Sequence, residues 1–157
     1  ISTLGLSVNG NSRKITITNN GSVEATNVIV SSSGLPSDTS VSPSSCATVA
    51  ANGGTCVITV TPGATASSDA SSTPCTTGAQ PEGSVSVTAD GGLSTSVNTY
   101  ILSYGCIYQG GFIYSVDDTT TNTGSIGGKV LALTDQKPRY PGGIVWDADP
   151  ACATNPY

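Results

Sequence analysis

The chain of 157 residues contains no histidine and no methionine, one tryptophan and one phenylalanine, and only 10% of its residues are charged. A typical globular domain carries about 25% charged residues, so Ser, Thr, Asn and Gly must supply most of the polar surface here. Without histidine, a serine-hydrolase triad, His-assisted cysteine chemistry and most zinc sites lack their central residue. Five Lys and Arg face ten Asp and Glu, and the sequence pI is near 4.2. That balance leaves no basic footprint for nucleic acid. No apolar run approaches the roughly 20 residues a membrane-spanning helix needs. These absences point to a protein that is not an enzyme and carries no cofactor.

Cysteine is present in a telling way. Five cysteines, none in C-x-x-C spacing, read as disulfides rather than zinc ligands. Disulfides require an oxidising compartment, and few charges with many hydroxyls suit an extracellular surface. Secretion is therefore expected. The chain opens at Ile1 without a basic-then-apolar leader, so the expectation includes a leader that is cleaved or left out.

Along the chain, short alternating apolar and polar runs are bounded by Gly, Asn, Ser and Pro. They cover residues 4–8, 13–18, 26–30, 55–60, 83–88 and 94–102. The run at 41–49 is broken by Pro43, which assigns it to a sheet edge or a loop. Asn52, Gly53 and Gly54 form a hairpin signal, as do Asp90, Gly91 and Gly92. About seven such strands within residues 1–103 predict an all-β fold, an antiparallel sandwich of immunoglobulin-like type. No window carries a 3.6-residue apolar period, so helix should be scarce. Residues 62–81 hold almost no large apolar side chain and read as a long exposed loop that supplies no core. Residues 104–157 contain three further short apolar runs. That is too little for an independent core, so this β-rich segment should pack on the sandwich, be completed by another chain, or be cut short.

Two family resemblances add to this reading. Residues 1–103, through SSCATVAANGGTCVITV at 44–60, resemble the Ig-like repeat modules of bacterial surface proteins, where a cysteine precedes a Gly-rich turn and a second opens the next strand. Residues 104–157, through YGCIYQGGFIYSVDD at 104–118 and GGKVLALTDQ at 127–136, look like the opening of a bacterial domain of largely unknown function. That domain occurs at the C-terminal ends of surface lipoproteins and collagen-like adhesins. Neither resemblance implies catalysis, and the second implies a binding activity.

Cys46 and Cys56 are the first disulfide expected. A two-residue turn at Asn52 and Gly53 would set Val49 opposite Cys56, so the pair needs a wider loop. Closing so short a loop contributes roughly 2–3 kcal/mol. Joining Cys75 to Cys106 would pin the polar loop to the start of the C-terminal segment and leave Cys152 over. An odd thiol suggests an intermolecular bridge, against the plainer alternative of a buried free thiol. Asp117, Asp118, Asp147 and Asp149 are weak calcium candidates in no EF-hand pattern, and acidic residues in such loops are usually just solvated. They are also the only candidates for a glycosidase pair, with nothing to place them about 5–10 Å apart, so no catalytic residue is assigned. Tyr104, Tyr108, Phe112, Tyr114 and Trp146 concentrate the aromatic content in the last third. They are either a sugar-stacking or partner surface or the rings of a small β-layer's core. The Asn20–Ser22 sequon matches a glycosylation signal of the kind that often arises by chance.

Three functions compete. One is a structural cell-surface subunit of a fibre or stalk, self-associating by strand completion. The second is an adhesin-type module for host glycans or proteins, and the third an enzyme whose convergent polar site is not visible. The first is favoured, with no nucleic-acid partner and no membrane span.

Overall fold

A computed structural model describes residues 2–134. Eleven strands occur in order: β1 (Thr3–Ser7), β2 (Arg13–Asn19), β3 (Ala25–Ser33), β4 (Ser40–Ser42), β5 (Ser45–Val49), β6 (Gly54–Thr61), β7 (Ser84–Ala89), β8 (Leu93–Leu102), β9 (Ile107–Tyr108), β10 (Gly111–Asp117) and β11 (Gly127–Ala132). Single turns of 3-10 helix lie at Cys75–Thr77 and Asp90–Gly92, and the described residues contain no α-helix. Strand is what these runs dictate. Their β-branched residues pack well on a pleated surface, and their period of two buries alternate side chains, as Cys56, Ile58 and Val60 of β6 show.

The first eight strands form two sheets, one of five in the order β1-β8-β7-β3-β5 and one of three in the order β2-β6-β4. Leu4, Leu6, Val28, Val30, Val85, Val87, Val97 and Ile101 from the larger sheet meet Ile15, Ile58 and Val60 from the smaller in one core. This is an immunoglobulin-like sandwich, antiparallel except where β1 runs parallel to β8. The turn expected at Asp90, Gly91 and Gly92 joins β7 to β8, which pair directly.

The Asn52–Gly53 signal has a different outcome. Both residues take positive φ, 55° and 103°, as a tight reversal requires. Yet β5 pairs with β3 while β6 pairs with β2 and β4. The reversal therefore arches from one sheet to the other instead of closing a hairpin. Its amides donate to the carbonyls of Gly21 and Asn19, at 2.9 and 2.8 Å. Pro43, whose bond to Ser42 is cis, lies between β4 and β5, each at the edge of its own sheet.

Residues 62–81 also differ from expectation. Many of them are exposed, but Pro62, Ser67, Cys75 and Pro81 are buried. Ser67 donates its amide to the Ile101 carbonyl at 2.8 Å and accepts from the Ile101 amide through Oγ at 3.0 Å. It takes up the backbone of β8 beyond the start of β7, so the segment runs along a sheet rather than wandering over it. A small side chain suits this role, because a hydroxyl replaces a strand partner.

The third sheet, in the order β11-β10-β9, builds a second core of Cys75, Leu102, Cys106, Ile113 and Ile126. Consecutive residues of β8 divide between the two cores, Ile101 facing the first and Leu102 the second. The described part of the C-terminal segment thus packs on the sandwich. It also covers an edge: the Gly5 amide donates to Ser125 Oγ at 2.9 Å, and the Ile126 amide donates to the Gly5 carbonyl at 3.0 Å. A sheet edge closed this way no longer templates pairing.

Candidate functional site

The most elaborate polar arrangement centres on Arg13. Alternation in β2 sends Ile15 to the core and Arg13 the same way, and the guanidinium is fully buried. Nη1 donates to the carbonyls of Thr121 and Gly124 at 2.9 and 2.7 Å, and Nη2 meets Asp118 Oδ1 at 2.6 Å. Nε makes no hydrogen bond within the described residues. The other Asp118 oxygen accepts the Asn11 amide at 2.6 Å, and the Lys14 amide donates to the Asn122 carbonyl at 2.7 Å. A loop from the C-terminal segment is thereby tied around the start of β2. These are holding contacts, with no nucleophile among them.

This geometry places two of the calcium candidates. Asp118 is engaged by Arg13 and Asn11, while Asp117 accepts from the Thr119 hydroxyl and amide at 2.6 and 2.9 Å. The Thr119 hydroxyl, its amide and then the Arg13 charge hold the Asp117 carboxyl below its usual range, against an opposing effect of desolvation. Among the described residues no three of His, Cys, Asp and Glu gather closely enough to hold a metal ion. Asp147 and Asp149 lie outside the described residues.

Both expected disulfides are present. Cys46 on β5 and Cys56 on β6 bridge the two sheets with Cα atoms 6.3 Å apart, and Cys75 joins Cys106 at 4.4 Å. The second bridge sits in the second core and ties residues 62–81 to the C-terminal segment. Such bridges place folding in an oxidising, non-cytoplasmic compartment. Among the described residues no helix is long and apolar enough to cross a membrane. Cys152 lies outside the described residues.

The aromatic residues divide. Tyr108 is half-buried and packs edge-to-face against Tyr100, with ring centroids 6.3 Å apart and planes at 77°. Tyr104, Phe112 and Tyr114 are exposed, and Trp146 lies outside the described residues. Phe112 stands opposite Leu131 in the β10–β11 pair, so both occupy one face of the third sheet. On its far side β11 has no strand partner among the described residues, and Val130, Leu131 and Leu133 are 39%, 53% and 44% exposed there.

Among the described residues lie two open clefts of about 360 Å³ each. One is lined by small side chains including Val8, Ala64, Ala66 and Pro74. The other lies at the end of the larger sheet, lined by Ser33, Glu82, Ser84, Asn98 and Tyr100 around Gly34 and Gly83.

Arg13 and Tyr100 were missed by reasoning from the sequence. The signal for Arg13 was available, since it shares parity with Ile15 and Ile17. For Tyr100 it was weaker: alternation pairs it with Asn98 on the outer face of β8, but nothing local brings Glu82 and Ser33 beside them. Compared with known proteins, the chain matches no family model and no curated relative.

Proposed function

We propose that the chain is a secreted, non-catalytic structural protein of the cell surface, an Ig-like subunit of an extracellular fibre or stalk that self-associates by strand completion. The observation that carries this reading is the edge of β11, unpaired among the described residues, where exposed Val130 and Leu131 adjoin open backbone groups and exposed Leu133 follows just past the strand. Long apolar edges are where a neighbouring chain adds a strand. The edge of β1, by contrast, is closed by Ser125 and Ile126, and β11 carries more exposed large apolar side chains than the short edge strands β4 and β5. Low charge supports the reading, because copies with a formal net charge of only −5 repel one another weakly. The bacterial origin implied by the two resemblances belongs to this proposal as well.

The test is negative-stain electron microscopy of the oxidised protein without reductant. Regular filaments are expected, whereas monodisperse particles at all concentrations would sink the polymer reading. A second reading, an adhesin-type module for glycans or host proteins, is favoured by the exposed rings of Tyr104, Phe112 and Tyr114. Saturable binding by isolated monomer would favour it over the first.

A further inference from the structure

The cleft at the end of the larger sheet differs from the rest of the surface in how its polar groups are disposed. It is an open depression of about 360 Å³, at the lower end of the range of about 300–1,000 Å³ typical of small-molecule sites. Its floor is backbone. Gly34 and Gly83 take φ of 69° and 151°, and a side chain at Gly83 would run into the Thr99 carbonyl at 2.6 Å. Glycine at 83 lets the start of β7 lie against the Thr99 carbonyl of β8, and a Cβ at Gly34 would come within 3.2 Å of the Gly83 backbone.

Its sides carry exposed Ser33, Asn98 and Glu82 and half-buried Ser84, and none of these side chains makes a hydrogen bond to another described residue. Each hydroxyl both donates and accepts, the Asn98 amide offers both functions, and the Glu82 carboxylate accepts only. Tyr100 adds an aromatic ring, oriented by its edge-to-face contact with Tyr108. No Lys or Arg lines the cleft, so nothing there rewards an anion, and Glu82 repels one.

We infer that this cleft is a binding site for a neutral saccharide residue. A sugar presents hydroxyls that donate to a carboxylate and exchange hydrogen bonds with amide and hydroxyl groups, and an apolar C–H face that packs on an aromatic ring. Those are the groups provided, and the missing positive charge selects neutral sugars over acidic ones. The inference deepens the binding reading above and moves the sugar away from the exposed face of Phe112 and Tyr114. It is independent of the fibre reading.

Heteronuclear NMR of the isotope-labelled full chain tests it, titrated with glucose, galactose, mannose and N-acetylglucosamine, and with glucuronate as the charged control. At least one neutral sugar should shift the amides of Gly34, Gly83, Ser84 and Asn98 saturably, with a dissociation constant of about 1 mM, at the weak end of specific affinities. Glu82→Gln should weaken that binding about tenfold, as loss of a hydrogen bond to a charged group does, and Asn98→Ala about fivefold, as loss of a neutral one does. The rest of the spectrum should stay in place, since neither side chain is hydrogen-bonded to another described residue. Shifts at Phe112 and Tyr114 instead would overturn the cleft while leaving the binding reading standing. No saturable shift anywhere up to about 20 mM, well above that constant, would remove both. Equal binding of glucuronate, or variants that bind as well as the parent, would also overturn the assignment.

Discussion

A carboxylate or guanidinium is stabilised here by neighbours close in space and mostly distant in sequence. Asp38 accepts the amides of Ala64 and Thr65 at 2.8 and 3.0 Å and the Thr65 hydroxyl at 3.0 Å. Desolvation pushes its carboxyl up, but the hydroxyl and amides together outweigh it and hold the carboxyl below its ordinary 3.8. A carboxyl whose folded value is depressed adds stability that is complete above the unfolded value and is lost as pH falls through the folded one. The Asp38 contribution should thus be intact at neutral pH, begin to fall near the ordinary 3.8 and be lost as pH drops through the depressed folded value. Urea titrations across pH test this: Asp38→Asn should lower the midpoint at neutral pH and flatten the loss between pH 4 and pH 2, roughly the span over which such a carboxyl titrates. An unchanged acid limb would assign the acid sensitivity elsewhere.

At the scale of strands, the sequence was informative about existence and less so about pairing. Alternation in residues 13–18, 55–60, 83–88 and 94–102 marks β2, β6, β7 and β8, because burial of every second side chain is a local demand of the pleat. The partner of each strand is not local. Asn52 and Gly53 have the backbone a tight turn needs whether the flanking strands pair or part, and here they part, since Cys46 and Cys56 serve opposite sheets. The cleft was illegible for a related reason: Ser33, Glu82 and Asn98 come together only once β3, β7 and β8 lie side by side. The open strand β11 gives a prediction at this scale. Placing lysine on an edge discourages a further strand, so Leu131→Lys combined with Leu133→Lys should abolish filaments in electron micrographs while circular dichroism and thermal stability stay close to the parent. Filaments of unchanged length would move the assembly contact away from β11.

In the whole molecule, two cores are joined through shared residues. Leu102 extends β8 into the second core, the Cys75–Cys106 bridge crosses between segments, and the loop around Arg13 ties β2 to the connection between β10 and β11. A guanidinium taken out of water loses several kcal/mol of hydration, and two carbonyls and Asp118 offset that loss at Arg13. Removing one partner of such a buried pair typically costs about 3–5 kcal/mol. Arg13→Ala should destabilise the chain by that amount and uncouple its parts. One calorimetric transition in the parent should become two in the variant, and a single unshifted transition would show that the loop contributes nothing to cohesion.

Across residues 2–134, sequence alone determined where most of the strands lie, the scarcity of helix, the sandwich class and the Cys46–Cys56 bridge. These arise from side-chain period, turn chemistry and cysteine position, each a property of a short stretch of chain. Tertiary structure alone decided which strands pair, which groups satisfy the buried Arg13, that Ser67 continues a sheet, and that a polar cleft opens beside Tyr100. Each depends on groups far apart in sequence, such as Arg13 with Thr121 and Gly124, or Ser67 with Ile101. Period and turn signals reach only a few residues along the chain, whereas hydrogen bonds and burial depend on distance in space.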